Sequence, residues 1–296
     1  MVGTTLDRVS ERTIGLLHPG EMGAAVGRCL RERGHTVLWA SEGRAAATAA
    51  RAIDAGLTDA GTAAEITSRA DVVISVCPPR AALDTARRVA GSGFGGLFVD
   101  ANAISPATAG EIAGIVAGGG ASYVDGGIIG TPPVRPGFIR LYLSGPRAGD
   151  VRELFEDTPV DARVVDHSGQ GEAISAASAV KMAYASFTKG SAALLLAARA
   201  LARAQGVEDV LLAEWGISQP GLEERSARAA GSAASKGWRW VAEMEEIAAS
   251  MAAADLPEGF HQAAAEIYRR SPHADGAAGE GGADLDMILD ALRQPS

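Results

Sequence analysis

Cysteine is almost absent from this sequence. Its 296 residues include two, Cys29 and Cys77, which excludes a disulfide scaffold, and neither has a second thiol or histidine at a metal-ligand spacing. Both read as free thiols, and no metal site is expected. Aromatic residues are scarce at 5%, and acidic side chains outnumber basic ones, leaving a formal charge of −9. A pI near 5.1 with basic residues scattered singly excludes a general nucleic-acid or acidic-membrane binder. Long hydrophobic runs are missing too. No stretch reaches the roughly 18 uninterrupted apolar residues of a membrane span, and the opening MVGTTLDRVSERT carries charges where a secretory signal needs an apolar run. The expectation is a cytoplasmic protein whose partners are small molecules, with neither nucleic acid nor membrane among them.

What is present is an apolar fraction of 47% together with 37 glycines. That fraction is ample for a packed core and excludes global disorder. The first half alternates short β-rich runs with alanine-rich helical stretches. Residues 13–17, 36–40 (TVLWA), 71–76 (DVVISV), 97–100, 122–125 and 140–144 read as strands, and 21–33, 44–55, 80–90 and 108–117 as the helices between them. Strands buried on both faces appear as continuous apolar runs, and helices supply the crossovers, so the fold class is α/β with a doubly wound parallel sheet. After about residue 166 the pattern changes. Residues 172–205 are almost wholly Ala, Leu, Ser and Met, which predicts one long buried helix with Gly190 as the place for a bend. Residues 208–214, 222–234, 237–254 and 257–270 predict further helices, Pro220 and Pro257 lying near first turns. Residues 273–282 (HADGAAGEGG) read as a loop before a final helix over 284–292. The division is placed at 1–166 and 167–296, the second part all-α.

Between the first strand and the first helix lies Gly15-Leu-Leu-His18-Pro19-Gly20-Glu21-Met22-Gly23. A dinucleotide pyrophosphate requires a tight turn, a backbone open to close approach, and N–H groups at a helix N-terminus. Gly20 and Gly23 supply the second and third glycines of G-x-G-x-x-G, and His18 stands where the first belongs. The bare pattern is weak; its setting between strand and helix is what points to a nucleotide rather than to a packing turn. About 20 residues further on, Ser41-Glu42-Gly43-Arg44 follows the second strand, where the adenosine ribose is read. Glu42 accepting from both ribose hydroxyls implies NAD, whereas Ser41 and Arg44 around a 2′-phosphate imply NADP. NADP is the preferred expectation and NAD the alternative.

Together HPGEMG (18–23), DVVISVCPP (71–79), DANAISP (100–106) and VDGGIIG (124–130) resemble the β-hydroxyacid dehydrogenase superfamily. That superfamily includes 6-phosphogluconate dehydrogenase-like enzymes, and imine reductases belong to the same structural clan. The segments VKMAYASFTKGSAALLLA (180–197) and KGWRWVAEM (236–244) resemble the poorly characterised helical C-terminal domain of one subgroup. The resemblance implies a Rossmann-type dinucleotide-binding domain followed by an all-α substrate and dimerisation domain. It also implies reduction of an aldehyde, ketone or imine, or the reverse oxidation, with NADP or NAD, by a homodimer whose helical domains interlock. On this likeness His18, Pro19, Gly20, Glu21 and Met22 meet the pyrophosphate, and Cys77, Pro78 and Pro79 lie beneath the adenosine and nicotinamide ribose. Asn102 falls near the nicotinamide, and Ser41 and Arg44 in the 2′-phosphate pocket.

Members typically carry D-x-P-V-S-G-G, whose serine and glycines bind a substrate carboxylate. Here the segment reads Asp125-Gly126-Gly127-Ile128-Ile129-Gly130-Thr131, and Ile129 cannot hydrogen-bond a carboxylate. A short hydroxyacid is disfavoured, with Gly126, Gly127, Ile128 and Ile129 as candidate substrate contacts. Hydride transfer to a carbonyl leaves an oxyanion that needs a proton donor. Members place a lysine in G-x-G-x-x-x-K-x-x-N-N; here Ser175 holds that spacing after Gly169-Gln170-Gly171. Lys181 stands six residues later with Tyr184 on a neighbouring face, and a shifted helix start gives Lys181 the lysine's place. Desolvation on so apolar a helix lowers a lysine pKa toward useful acid–base values. Lys181 is the candidate acid–base group, Tyr184 the alternative donor and Lys189 the reserve. Trp238, Trp240 and Met244 form an apolar stripe in which Trp240 and Met244 are candidate substrate contacts, and Arg135 is a candidate for an anionic substrate. Three functions stand as expectations: an NADP-dependent oxidoreductase of carbonyl or hydroxy substrates, an imine reductase on the same scaffold, and a non-catalytic nucleotide-binding module.

Overall fold

The computed structural model describes residues 11–133, 137–167, 173–273 and 282–294. Arg135, the Gly169-Gln170-Gly171 stretch and most of the loop expected at 273–282 lie outside the described residues. The chain divides into two compact units, Met1–Val180 and Lys181–Ser296.

In the first unit the apolar runs form β1 (Thr13–Leu17), β2 (Thr36–Trp39), β3 (Thr58–Asp59), β4 (Val72–Ser75), β5 (Leu97–Asp100), β6 (Ser122–Gly130), β7 (Ile139–Ser144) and β8 (Val160–Val164). They make one sheet in the order β3-β2-β1-β4-β5-β6-β7-β8. Every adjacent pair is parallel except β6 and β7, which run antiparallel from Asp125↔Ser144 to Gly130↔Ile139. The doubly wound parallel sheet expected from the sequence is therefore present, with this one antiparallel pair near its edge. Residues 131–138 are too few for a parallel crossover, which takes a dozen or more, so β7 folds straight back. The pattern does not announce β3, two exposed residues at an edge, or β8, whose residues are mostly exposed or half-buried.

The helices α1 (Glu21–Glu32), α2 (Ala46–Asp54), α3 (Ala63–Arg69), α4 (Ala82–Gly91), α5 (Pro106–Gly118) and α6 (Ala148–Leu154) cover both faces. Leu16, Val26, Leu30, Val99, Val124 and Val151 belong to the apolar layer on one face, and Leu38, Ile66, Ala86, Phe98, Ile112 and Val116 to that on the other. Chain order reverses between β1 and β4. At such a switch point a crevice opens outside the carboxyl ends of the strands, which is where α/β sheets take ligands.

The long helix α7 (Ala176–Ala204) is continuous, and the division between the units falls within it. In the second unit follow α8 (Glu208–Ser218), α9 (Leu222–Ala253), α10 (Gly259–Arg270) and α11 (Gly282–Leu292). Where the sequence suggests two helices over 222–254, α9 is one of 32 residues. Gly237 is buried inside it, and a Cβ there would make ordinary contact with Tyr268 at 3.6 Å, so packing outweighs the glycine's poor helix propensity. Gly190 is likewise a packing position: a Cβ would sit 3.0 Å from the Phe260 ring of α10. Among the described residues no helix is long and apolar enough to cross a membrane.

Two carboxylates are sealed in the sheet. Asp100 and Asp125 are partners in the β5–β6 register, and each is fully buried. Asp125 accepts from the Ser178 N–H at 2.7 Å, the Ser178 hydroxyl at 2.6 Å and the Ser144 hydroxyl at 3.2 Å, tying β6 and β7 to the start of α7. Asp100 accepts from the Asn102 N–H at 2.9 Å, while its Oδ2 has no hydrogen-bond partner among the described residues. Burial, with a smaller contribution from Asp125, pushes Asp100 up to about 7. The folded chain therefore holds a proton that the unfolded chain releases near pH 4, so this group's contribution to stability falls as pH rises from about 4 to about 7. Asp100→Asn should gain on the parent by about 1.4 kcal/mol per pH unit across that window. Urea unfolding of both proteins between pH 4 and 8 measures the gap, and a gap independent of pH would show that Asp100 titrates normally.

Candidate active site

At the end of β1 the chain must turn sharply into α1. His18 makes that turn with φ 66°, the left-handed conformation that a glycine ordinarily supplies at this place. The Gly20 N–H donates to the His18 carbonyl at 2.8 Å and closes the turn. A Cβ at Gly20 would meet nothing within 4 Å, so the backbone is open to close approach there. At Gly23 a Cβ would lie 2.6 Å from the His18 carbonyl oxygen, so α1 can seat against the turn only with glycine. Gly20 is also the N-cap and has no side chain to satisfy the first-turn N–H groups, which leaves the positive end of the helix to be met by an anion.

Beside His18 opens a cavity of about 230 Å³, walled by Leu17 and Arg44, by Ala63 and Thr67 of α3, and by Thr85, Arg88 and Val89 of α4. Its polar features are cationic or neutral. Burial, reinforced by Arg44 and Arg88, lowers His18 to about 4, so its imidazole is neutral at pH 7. Burial and Arg88 also lower the Arg44 pKa. His18 Nδ1 and Arg44 Nε are buried with no hydrogen-bond partner among the described residues, and such groups are costly unless something satisfies them.

Ser41 and Glu42 do not line this cavity. The Asp59 carboxylate accepts from the N–H groups of Gly61 at 2.8 Å and Ser41 at 3.2 Å, and these bonds hold it below the usual carboxylate range. Glu42 is exposed, with its N–H on the Gly61 carbonyl. The segment after β2 thus gives Ser41 an acidic neighbour and brings Arg44 together with Arg88. Sequence reasoning missed α3, Asp59 and Arg88. One signal was present: Thr62 and Glu65 have the spacing of a capping box, and both of its bonds form at the start of α3.

At the ends of β4 and β5, Asn102 acts as a strut. Its side-chain oxygen accepts from the Cys77 N–H at 2.5 Å and its amide nitrogen donates to the Ser75 hydroxyl at 3.2 Å. This fixes the shelf of Cys77 and Pro78, from which Pro79 opens a 3-10 turn leading into α4. On β6, Gly126 and Gly127 are buried, Ile128 is half-buried against the apolar layer, and Ile129 is 3% exposed. A Cβ at Gly126 would sit 3.0 Å from the Asp100 carbonyl oxygen.

In the second unit two lysines of α7 meet one carboxylate of α9. Lys181 Nζ lies 3.5 Å from Glu243 Oε1, and Lys189 forms a tight ion pair with Oε2. Lys189 also sits over the Trp240 ring, 5.3 Å from its centroid, and the Tyr268 hydroxyl donates to the Lys189 carbonyl at 2.6 Å. Burial lowers Lys189 to about 8 against the pull of Glu243. Burial alone would raise Glu243, but Lys189 and Lys181 outweigh it and keep the carboxyl below its ordinary value. Trp240 therefore joins the lysine cluster, whereas Met244 is fully buried in the helical core and Tyr184 is 48% exposed. Trp238 is exposed and edge-on to His273 at 5.9 Å. Sequence reasoning missed Glu243, whose one signal is its place as an acid among Trp240, Met244 and Ile247 on an apolar stripe.

A family model described as the NAD binding domain of 6-phosphogluconate dehydrogenase matches residues 13–148, and one described as a domain of unknown function, DUF1932, matches 202–271. An uncharacterized 28.5 kDa protein of Methanothermus fervidus is 30% identical over 148 residues, which cover 50% of this chain and 54% of that protein. The match thus spans about half the length of that curated relative. Among solved structures, the conserved protein MTH1747, of unknown function and described as similar to 3-hydroxyacid dehydrogenases, is 26% identical with TM-score 0.60 over 95% of this chain and 96% of that one. The V8 variant of the imine reductase from Myxococcus stipitatus, in complex with NAD+, is 22% identical with TM-score 0.55 over 94% of this chain and 99% of that one, a likeness of fold. The turn at His18, the strand order and these matches converge: residues 13–148 are similar to the NAD binding domain of 6-phosphogluconate dehydrogenase, and residues 202–271 to DUF1932.

Proposed function

We propose that the chain is an NADP-dependent oxidoreductase that moves hydride between the nicotinamide and a carbonyl or hydroxyl-bearing carbon. The observation that carries this reading is the β1–α1 turn, where a left-handed His18, an open Gly20 and a sterically required Gly23 meet a helix N-terminus. These residues fit a dinucleotide. Pyrophosphate oxygens would accept from the first-turn N–H groups of Glu21 and Met22, over the open backbone of Pro19 and Gly20, and the cavity beside His18 would take the adenosine end. NAD fits the same turn. NADP is favoured by Arg44 and Arg88, two guanidiniums at one cavity with an unsatisfied Nε between apolar walls. When bound, the nucleotide supplies or accepts the hydride.

The remaining chemistry belongs to this chain. Asn102 holds the Cys77–Pro78 shelf still. Lys181 gives a proton to the substrate oxygen in reduction and takes it back in oxidation; Tyr184 and Lys189 are the other donors to test. Gly126, Gly127, Ile128, Ile129 and Trp240 are the proposed substrate contacts. Ile129, in place of a hydroxyl, selects a less polar molecule than a short hydroxyacid. The same replacement favours imine reduction as the second reading, since an iminium carries its own positive charge and needs no carboxylate grip. A non-catalytic binding module is the third, and saturable NADPH binding without turnover on aldehydes, ketones and cyclic imines would select it.

On this reading residues 1–166 bind nucleotide and 167–296 bind substrate and dimerise, in the cytoplasm. A homodimer through the helical part is supported by α8, which buries none of its residues, and by Phe187, Leu194 and Leu201, exposed at seven-residue spacing on α7. Arg44→Ala and Arg88→Ala should each weaken NADPH binding about 10-fold or more, the scale of a charge-assisted hydrogen bond, while sparing NADH. Fluorescence titration measures both, and equal losses for the two nucleotides would remove the 2′-phosphate from this cavity. Lys181→Ala should cut turnover about 100-fold or more with NADPH affinity retained, read as NADPH oxidation over the same substrate panel. Undiminished turnover would remove Lys181 from the reaction.

A further inference from the structure

The chain uses arginine for nearly all of its positive charge. Of its 27 basic side chains only three are lysine, Lys181, Lys189 and Lys236. A guanidinium does not release its proton near neutral pH, whereas an ammonium group does so once desolvated. All three ammonium groups act at one place. Lys181 and Lys189 flank Glu243, and the charge of Lys236 bears on Lys189.

The two oxygens of Glu243 are divided unequally. Oε2 is locked to Lys189, whose ammonium is further confined by the Trp240 ring. Oε1 faces Lys181 at 3.5 Å, a distance at which charge attracts but no normal hydrogen bond forms. The side chains of Lys181 and Glu243 are only 15% and 7% exposed, so their attraction is weakly screened. The nearby Tyr268 hydroxyl is spent on the Lys189 carbonyl and does not compete for the carboxylate. One lysine is thus a fixed counter-charge and the other is held loosely enough to move.

We propose that Glu243 is the positioning residue of the reaction: Lys189 anchors its carboxylate, and the carboxylate keeps Lys181 charged and in place between proton transfers. This rests on the reading of Lys181 as proton donor. In reduction an Nζ–H bond of Lys181 breaks, its proton goes to the substrate oxygen that has taken the carbonyl electron pair, and water returns a proton to the amine beside Glu243.

With three lysines, the full-length protein after reductive methylation with 13C-formaldehyde gives three assignable lysine signals, identified through Lys189→Arg and Lys236→Arg. In Glu243→Gln the titration midpoint of Lys181 should fall by about one pH unit or more, a tenfold change in its acidity, with NADPH affinity unchanged; Glu243→Asp should restore most of it. An unchanged midpoint overturns the proposal. Should Glu243→Gln not fold, the double variant Glu243→Gln/Lys189→Met removes both tightly paired charges, and there too the Lys181 midpoint must fall. The two levels separate cleanly: a fully active Lys181→Ala refutes the functional reading, whereas an inactive Lys181→Ala beside an unmoved Lys181 midpoint refutes the role of Glu243 alone.

Discussion

The backbone of one residue, His18, sets the terms for the nucleotide-binding unit. Its left-handed conformation turns the chain from β1 into α1 so tightly that the His18 carbonyl accepts from the Gly20 N–H and lies where a Cβ at position 23 would clash with it. Left-handed backbone is unfavourable for a residue with a side chain, so the turn persists because its surroundings fix it. The strand order places that turn beside the switch point between β1 and β4. A glycine at position 18 would adopt the geometry more easily, but it would leave the cavity without the neutral imidazole that lines it together with Arg44 and Arg88.

Desolvation is the second organising influence, and its result depends on what each buried group faces. Asp100 has one good donor and a buried carboxylate neighbour, and burial wins, raising its pKa. Glu243 is almost as secluded yet moves the other way, because two ammonium groups share it. His18 faces cations and becomes a neutral base. The chain also separates its cations by task. Arginines, which cannot give up a proton, stand where a permanent positive charge suits an anion; lysines, which can, gather around one carboxylate.

Much of this was legible in the sequence. The apolar runs at 13–17, 36–40, 71–76 and 97–100 are buried parallel strands because no other element of that length is apolar on both faces, and the glycine turn proposed to hold the nucleotide stands out despite His18 because strand and helix frame it. The antiparallel β7 was not legible as such, since a strand carries its direction in the length of its connection and not in its own residues. The helix α3 escaped notice although its capping box was written out, because a seven-residue helix has too little periodicity to stand out. Cross-chain clusters were the least legible. Nothing at positions 88 or 243 says in sequence that Arg88 will meet Arg44 or that Glu243 will lie between Lys181 and Lys189; only the packing of α4 against the sheet and of α9 against α7 creates those neighbours.

The whole account depends on the amino end of α1 holding the diphosphate of a pyridine nucleotide. Calorimetric titration of the full-length protein with NADPH and, separately, with NADH tests this most directly. One saturable site per chain for each nucleotide, with NADPH the tighter, is the result in keeping with the structure; the absence of saturable binding for both would contradict it.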